Sequence, residues 1–346
     1  MLKVAICGAS GYAGAELLRI LSGHHGVRVV SVTSERSAGK SPVEIFPHLS
    51  SYGSLLFEPL EPATLLEKAD FFFMALPHKA SQPAVALLHR EGRKVVDLSA
   101  DFRIKDPAVY EQWYNVPHEQ RDTLKKAVYG LPELHRAKIK KTNLAANPGC
   151  YPTGAILGIY PALKNGIASA EGIIVDSKSG TSGAGRQSDM KFSFCEVNEG
   201  FKAYSVGVHR HTPEIEQELS SIAKKEVTIN FTPHLLPVNR GILTTIYLKT
   251  TRKLSTESAI SLYEKAYRDE SFVRVLAHDS LPNINAVKGT NRCDIGLRFD
   301  ARTGTLIVIT AIDNLVKGAA GQAVQNMNLM MGFPEETALS TLATFP

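Results

Sequence analysis

The stretch that decides the fold is Gly8-Ala9-Ser10-Gly11-Tyr12-Ala13-Gly14, because of what lies on either side of it. Residues 3–7 before it have the apolar composition of a buried strand, and residues 13–22 after it have the pattern of a helix. Glycines there let the chain turn tightly, and backbone N–H groups at a helix start attract a pyrophosphate. The stretch predicts a dinucleotide-binding turn; the alternative is a tight turn without a ligand.

The rest of the first half repeats this alternation of strand and helix. Residues 28–33, 70–75, 94–98 and 142–146 are predicted to form short apolar strands, and residues 82–91 a further helix. Strands that alternate with helices at this density indicate a parallel sheet. We therefore predict an α/β chain whose residues 1–149 form a Rossmann-type, doubly wound domain.

The pattern changes after Cys150. Longer amphipathic strands are predicted at 172–177, 203–208, 228–236 and 243–249, and a hairpin at 293–310 that turns at 300–304. Such strands favour a mixed or antiparallel sheet, so residues 150–313 are predicted to form an α+β domain. The closing segment, 314–346, carries a helix at 318–331 that we expect to return to the first domain.

Composition restricts the classes of partner. The 346 residues suffice for two domains, and 44% hydrophobic with 21% charged residues is typical of a globular chain. No apolar run reaches the ~20 residues of a membrane helix, and no signal peptide is apparent, so we expect a cytoplasmic protein. A dispersed net charge of +5 suits a small anionic substrate, not nucleic acid. The four cysteines form no CxxC pair, so no metal site is predicted.

The residues after the second strand bear on which dinucleotide binds. An NAD site carries an acid ~20 positions after the glycine turn. Here that position offers Ser34, Arg36 and Ser37, whose hydroxyl and guanidinium groups suit a 2′-phosphate. Glu35 is the exception, since it could bind a ribose hydroxyl. We predict NADP(H), held by Gly8, Ser10, Gly11, Tyr12, Ala13, Gly14, Ser34, Arg36 and Ser37.

Cys150 is the candidate nucleophile. It lies in Asn147-Pro148-Gly149-Cys150-Tyr151-Pro152, after a strand and before an apolar helix. The dipole of a helix start stabilises a thiolate, the form that attacks carbonyl groups. The alternative is a small buried hydrophobic residue, which we prefer for Cys7, Cys195 and Cys293 because they lie in or near apolar strands or hairpins.

A histidine cluster, His209-Arg210-His211-Thr212-Pro213-Glu214, offers acid–base groups. Thr212 is predicted to cap a helix that opens with Pro213. In an extended segment, the two histidines share a face. A histidine with a pKa near 6.5 can act as a cation or as a neutral base. A metal site lacks a third ligand, and surface histidines beside a capped helix remain an alternative.

Three loops contain candidate binding residues, and a plain turn explains each equally well. The segment 97–103 offers Ser99 and Arg103 as contacts for an anion. The glycine-rich segment 179–186 offers Ser182 and Gly183 to a nicotinamide. Asn314 could bind the nicotinamide carboxamide.

Six motifs together resemble one family, the long form of N-acetyl-γ-glutamyl-phosphate reductase. In chain order they are GASGYAG, DLSADFR, NPGCYPT, SGTSGAGR, HRHTPEI and DNLVKGAAGQA. The resemblance covers essentially the whole chain, and NPGCYPT with HRHTPEI is its specific part. The family shares the two-domain architecture of aspartate-semialdehyde dehydrogenase and glyceraldehyde-3-phosphate dehydrogenase.

The resemblance implies a function. Cys150 would attack the acyl phosphate, release inorganic phosphate and form a thioester that NADPH reduces to N-acetylglutamate γ-semialdehyde, a step of arginine biosynthesis. His209 would be the acid–base residue. The residues assigned to the substrate are Ser99, Arg103, Asn147, Arg210, His211 and Glu214. The second domain would also form a homo-oligomer, a dimer or a tetramer.

Rival interpretations remain open at this stage. A reductase of the homologous aminoadipyl phosphate of lysine biosynthesis, with its substrate on a small acidic carrier protein, would differ only in pocket shape. Aspartate-semialdehyde dehydrogenase lacks the HRHTPEI stretch. A non-catalytic NADP-binding regulator would have no need of both Cys150 and His209.

Overall fold

A computed structural model describes residues 1–186 and 189–344. The chain forms two compact units. The first comprises Met1–Gly149 with Ala319–Thr341, and the second comprises Cys150–Gly318 with the described residues from Leu342 onward. The peptide bond between Gly149 and Cys150 thus joins the end of one unit to the start of the other.

The first unit is built on a parallel sheet. Its strands are β1 (Leu2–Cys7), β2 (Val27–Thr33), β3 (Phe57–Glu58), β4 (Phe71–Met74), β5 (Lys94–Asp97), β6 (Val128–Tyr129) and β7 (Leu144–Ala146). Among the described residues, the sheet has the order β3-β2-β1-β4-β5-β7-β6, and every neighbouring pair is parallel. The order reverses between β1 and β4, the point at which such sheets bind ligands beyond their carboxyl ends.

Helices cover both faces of this sheet, so its central strands are largely apolar. Numbered along the chain, they are α1 (Tyr12–Leu21), α2 (Pro42–Ile45), α3 (Pro62–Lys68), α4 (Gln82–Arg90), α5 (Pro107–Tyr114), α6 (Arg121–Lys126), α7 (Pro132–Ile139) and, near the end of the chain, α12 (Gly321–Met331). All four residues of β4 are buried, as in a strand covered on both faces. Helix α12 packs on α1, where His24 Nε2 and Asn328 Oδ1 are 3.0 Å apart.

The second unit contains a mixed sheet with helices on one face. Its strands are β8 (Ile173–Gly180), β9 (Lys202–Ala203), β10 (Ile229–Leu236), β11 (Ile242–Lys249), β12 (Val273–Val275), β13 (Cys293–Asp300) and β14 (Thr305–Ile312). Its helices are α8 (Cys150–Lys164), α9 (Phe194–Val197), α10 (Thr212–Ala223) and α11 (Thr256–Tyr267). The strand order is β12-β13-β14-β11-β8-β10-β9, and both parallel and antiparallel pairs occur. The predicted α/β class with a second, mixed-sheet α+β domain is confirmed.

Helix α8 is the central helix of the second unit, and two tyrosines secure it. Pro161 lies inside the helix and has no N–H to donate to the carbonyl of Leu157. The hydroxyl of Tyr267 donates to that carbonyl instead, and the hydroxyl of Tyr263 donates to the carbonyl of Gly158 at 2.7 Å. These bonds satisfy buried backbone groups and fix the helix against α11.

Three local predictions are wrong. The predicted strand at 203–208 exists only as Lys202–Ala203, because Ser205 (φ 47°) and Gly207 (φ 73°) turn the chain through left-handed conformations. Thr212 is the first residue of α10, and His211 occupies the N-cap position. Cys195 is exposed on the short helix α9 and lies in no strand or hairpin.

Candidate functional site

The glycine turn of the first unit requires two positions without a side chain. Gly8 has a left-handed φ of 84°, and a Cβ there would lie 2.4 Å from the carbonyl oxygen of Ala75. At Gly14, a Cβ would lie 2.5 Å from the Cα of Ala9. Helix α1 begins at Tyr12, within this glycine stretch, and none of the described residues in its first turn is acidic. This geometry fits a pyrophosphate at the positive end of a helix.

Hydroxyl groups lie at the carboxyl end of β2, where an NAD-specific site carries an acid. Ser10 Oγ and Ser34 Oγ are 2.7 Å apart, and Ser34 Oγ accepts a hydrogen bond from the backbone N–H of Ser37 at 3.2 Å. Glu35 has a different partner, because its Oε1 accepts from the backbone N–H of Leu60 at 2.8 Å. The residues present therefore fit a 2′-phosphate better than a bare ribose hydroxyl.

A buried polar network follows β5 in the first unit. Ser99 Oγ donates to Asp97 Oδ2 at 2.7 Å and lies 2.6 Å from Ser81 Oγ. The Ser81 hydroxyl in turn donates to Asp101 Oδ2 at 2.9 Å. Burial, followed by the charge of Asp101, raises the pKa of Asp97 to about 7. Ser99, a predicted substrate residue, is thus engaged in an internal network.

Two more predicted substrate residues of the first unit are buried. Arg103 donates through Nη2 to the carbonyl of Leu98 at 2.7 Å. Asn147 Nδ2 donates to the carbonyl of Ala319 at 3.1 Å, and its Oδ1 accepts from Asn326 Nδ2 at 3.1 Å. The two bonds of Asn147 connect the residue after β7 to Ala319 and to α12. A role of Arg103 or Asn147 toward substrate remains a prediction.

Cys150 is the first residue of α8 and is partly exposed. A thiol at a helix start is stabilised as thiolate by the helix dipole. Cys7 and Cys293 are buried, and burial raises the pKa of the Cys7 thiol to about 12. The position of Cys150 is therefore the one that favours reactivity, while Cys195 is merely exposed.

Two tyrosines that the sequence analysis missed lie beside Cys150. The hydroxyl oxygens of Tyr151 and Tyr204 are 2.8 Å apart. Burial, above all, raises the pKa of both phenols, to about 12 for Tyr204, and a negative charge on Cys150 adds to the rise. Tyr151 directly follows Cys150 in α8, so this pair of hydroxyl groups belongs to the helix start that carries the thiol. Tyr151 could have been found from the sequence, because it follows Cys150 within NPGCYPT. Tyr204 lies in no such motif, and only the fold pairs it with Tyr151.

The ring of His209 lies in an aromatic cluster with Tyr151, Tyr204, His211 and Phe231. The centroid of the His209 ring is 5.5 Å from that of Tyr151, 5.6 Å from Tyr204, 5.2 Å from Phe231 and 4.9 Å from His211. Since Tyr151 directly follows Cys150 in α8, this cluster includes the neighbour of the predicted nucleophile, and the catalytic roles of Cys150 and His209 remain predictions.

Hydrogen bonding and burial define the charge state of His209. The backbone N–H of His211 donates to His209 Nδ1 at 3.1 Å, which assigns the proton of the neutral ring to Nε2. Burial, and then the charge of Arg210, lowers the pKa of His209 to about 4. The expected pKa near 6.5 is wrong here, because the enclosed ring is poorly solvated and the adjacent guanidinium opposes a second positive charge.

The remaining predicted residues of this segment differ in exposure. Arg210 is exposed at the surface of the second unit, whereas Glu214 is fully buried in the first turn of α10. A carboxylate at this end of a helix interacts favourably with the dipole. The contacts of both with substrate remain predictions.

Asn314 secures the glycine-rich loop that follows β8. Its Oδ1 accepts from the backbone N–H of Gly241 at 2.8 Å, and its Nδ2 donates to Ser182 Oγ at 2.9 Å. Gly183 lies beside it, and a Cβ there would be 3.8 Å from Asn314 Nδ2. The predicted contacts of Ser182, Gly183 and Asn314 with a nicotinamide remain predictions, but the three residues share one neighbourhood.

In residues 1–186 and 189–344, no group of three or more His, Cys, Asp or Glu side chains has the arrangement of a metal site. In the same residues, no helix is both long and apolar enough to cross a bilayer.

Comparison with known proteins matches both halves of the chain to domains of one family. Residues 3–142 match the family model "Semialdehyde dehydrogenase, NAD binding domain", and residues 150–314 match "Semialdehyde dehydrogenase, dimerisation domain". The chain is 55% identical over 347 aligned residues to the N-acetyl-gamma-glutamyl-phosphate reductase of Geotalea daltonii, with 100% of both chains covered. It is 54% identical to the protein of that name from Pelotomaculum thermopropionicum, covering 100% of this chain and 99% of the relative.

Solved structures with the same fold are more distant in sequence. Aspartate semialdehyde dehydrogenase II of Vibrio cholerae, complexed with ASA, is 18% identical with a TM-score of 0.71, over 96% of this chain and 98% of that one. The aspartate semialdehyde dehydrogenase of Candida albicans, solved with NADP, is 15% identical with a TM-score of 0.69, over 96% and 98%. At these identities, the likeness concerns the fold alone.

Proposed function

The chain belongs to the semialdehyde dehydrogenase family, and from that membership we propose that it reduces N-acetyl-γ-glutamyl phosphate to N-acetylglutamate γ-semialdehyde with NADPH, a step of arginine biosynthesis. The observation that carries the proposal is Cys150 at the start of α8, followed directly by Tyr151, whose ring packs against the neutral ring of His209. The relatives that share the whole chain length are named for this reaction.

The first half of the reaction uses the neutral state of His209. The imidazole takes the proton of the Cys150 thiol, and the thiolate attacks the γ-carbonyl carbon. The carbon–sulfur bond forms, the bond from carbon to the phosphate oxygen breaks, and inorganic phosphate leaves and takes up one proton from the solvent. Backbone N–H groups at the start of α8 point along the helix axis and would stabilise the oxyanion. The product is a thioester on Cys150 and an imidazolium at His209.

The second half returns the same proton. When bound, NADPH supplies the hydride that reduces the thioester carbonyl. The imidazolium of His209 protonates the resulting alkoxide, then takes that proton back as the carbon–sulfur bond breaks and the aldehyde forms. Cys150 leaves as a thiolate and regains its proton from His209. A histidine that is neutral at rest therefore completes the cycle with a single proton.

The cofactor is assigned to NADP(H) from the first unit. Gly8, Gly11 and Gly14 with the start of α1 would hold the pyrophosphate. Ser10, Ser34 and Ser37, with the exposed side chain of Arg36, would hold the 2′-phosphate. Tyr12 and Ala13 in the first unit, and Ser182, Gly183 and Asn314 in the second, complete the assignment.

Replacement of Arg36 tests the choice of cofactor. Arg36→Ala is expected to raise the KM for NADPH by the equivalent of about 1–3 kcal/mol, the contribution of a charged hydrogen bond, and to leave NADH use little changed. Steady-state kinetics with both cofactors measure this. Arg28→Ala is the matched control, since Arg28 lies exposed at the opposite end of β2. A wild-type preference for NADH would reject the assignment.

We further propose a homo-oligomer formed through the mixed sheet. Helices cover one face of this sheet, and on the other Ile174 and Tyr247 are 42% and 37% exposed on the paired central strands β8 and β11. A family model described as a dimerisation domain covers this unit.

The substrate is a small molecule, with no nucleic acid or membrane partner. A cytoplasmic location follows from the need to keep Cys150 as a thiol, which reducing compartments preserve.

The proposed reaction is tested in reverse. N-acetylglutamate γ-semialdehyde, phosphate and NADP⁺ are mixed with the protein, and the NADPH absorbance is expected to rise only when all three are present. The aminoadipate homologue of the aldehyde is run alongside. A faster reaction with the homologue would reassign the substrate to lysine biosynthesis, and no reaction with either aldehyde would reject the proposed function.

A further inference from the structure

Gly318 lies against the proposed nucleophile. A Cβ at this position would be 2.8 Å from the Cβ of Cys150 and 3.2 Å from its Cα. Carbon atoms make favourable contact at about 3.5–4.0 Å, so both distances are repulsive. Rotation of the Cys150 side chain leaves Cα and Cβ in place, so such a clash could be relieved only by moving the backbone of one of the two residues.

The backbone of Cys150 has little freedom to move. It belongs to α8, in which Gly154 and Gly158 approach the sheet closely. A Cβ at Gly154 would lie 3.0 Å from Thr310 Oγ1, and one at Gly158 would lie 2.6 Å from Ile246 Cδ1. Together with the tyrosine hydroxyls that bind its carbonyls, this close packing holds the helix against β11 and β14.

The turn that carries Gly318 is held equally firmly. Gly318 lies in a π-helical turn, Val316–Ala320, a rare conformation that is frequently found at functional sites. Its N–H donates to the carbonyl of Asp313 at 2.9 Å. The carboxylate of Asp313 is buried and accepts from the backbone N–H of Leu315 at 2.8 Å and of Gly289 at 2.7 Å.

We propose that Gly318 is a positioning residue for Cys150: the turn from Asp313 to Gly318 supports the first residue of α8 from behind and sets where its thiol lies. The inference rests on the proposed function, since it presumes that Cys150 is the nucleophile. Glycine is required there because the two backbones approach too closely for any side chain. The turn also contains Asn314, so one segment positions both Cys150 and the loop at Ser182.

Gly318→Ala tests the proposal, with kcat and the thiol chemistry as separate readouts. Misplacement of a reacting atom by about 1 Å can cost 10²-fold, so we expect kcat to fall about 10–100-fold while the Kd for NADPH changes less than about twofold. Gly53→Ala is the matched control. Gly53 has φ −62°, and an added Cβ would meet no atom closer than 3.6 Å, so normal kinetics are expected.

The other cysteines provide internal references for alkylation by iodoacetamide, followed by mass spectrometry. Cys195 is exposed and reports general reactivity, whereas Cys7 and Cys293 are buried and react only if the protein opens. In Gly318→Ala, the rate at Cys150 relative to Cys195 is expected to fall at least about fivefold, with Cys7 and Cys293 still protected, because the displaced thiol loses its place at the helix start.

The proposal would be overturned if Gly318→Ala kept Cys7 and Cys293 protected and left two quantities unchanged. These are the alkylation rate at Cys150 relative to Cys195, and kcat to within about twofold of wild type. If Gly318→Ala opens the protein, Asp313→Asn is used in the same assay, since it loosens the turn without adding heavy atoms. An unchanged alkylation rate at Cys150 relative to Cys195 in that variant rejects the inference. Cys150→Ser distinguishes a failure of the proposed function from a failure of the role proposed for Gly318. Normal turnover in Cys150→Ser would reject the proposed function itself, whereas an inactive Cys150→Ser beside a normal Gly318→Ala would reject only the role of Gly318.

Discussion

Cys150→Ser is expected to lower turnover at least ~10³-fold while NADPH still binds, because a serine hydroxyl stays protonated where a thiol at a helix start ionises. The thioester cannot form without that nucleophile. Turnover is measured in the reverse assay, and NADPH binding by titration of the cofactor. Because the cofactor residues of the first unit are unchanged, the Kd for NADPH is expected to stay close to that of the wild type.

The control for this prediction is Cys195→Ser. It makes the same change at an exposed cysteine on α9, outside the aromatic cluster, so normal turnover is expected. A loss of turnover in Cys195→Ser comparable to that in Cys150→Ser would mean that the wrong cysteine has been assigned. Near-normal turnover in Cys150→Ser would exclude a covalent mechanism altogether.

Elements with a strong local pattern could be predicted from the sequence. Strand β1 is an apolar run, interrupted only by Lys3, that ends at Gly8. Strands β13 and β14 pair antiparallel across the predicted turn, where Gly304 has φ 65°. Cys150 could also be placed at a helix start, since Pro148 and Gly149 end one element and an apolar helix follows. In each case, the information lies within about ten residues of the feature.

Features that depend on residues distant in the chain could not be predicted. The partner of Glu35 is the backbone of Leu60, 25 residues away, and that contact frees the β2 terminus for a 2′-phosphate. Phe231 and Tyr151 are 80 residues apart in sequence but pack on the same histidine ring. The local pattern at 203–208 favoured a strand, yet left-handed residues reversed the chain there and brought Tyr204 to His209.

The second large effect is expected at His209. His209→Asn keeps roughly the size of the ring and one acceptor for the N–H of His211, but it cannot carry a proton through the cycle. We expect kcat to fall about 10²–10⁴-fold, the usual contribution of an acid–base group, with a smaller change in KM. His211→Asn is the comparison, expected to raise the substrate KM more than it lowers kcat. The opposite pattern would exchange the roles of the two histidines.

The pH dependence of kcat/KM separates proton transfer by His209 from its packing. Burial and Arg210 lower its pKa to about 4, below the usual ~6.5. The ring is therefore neutral at pH 6 to 7 and takes up a proton only as the pH falls toward that lowered pKa. Since kcat/KM reports the free enzyme, its acid limb is expected well below ~6.5 and should be lost in His209→Asn. An acid limb near ~6.5 that persists in His209→Asn would assign the acid–base role to another residue.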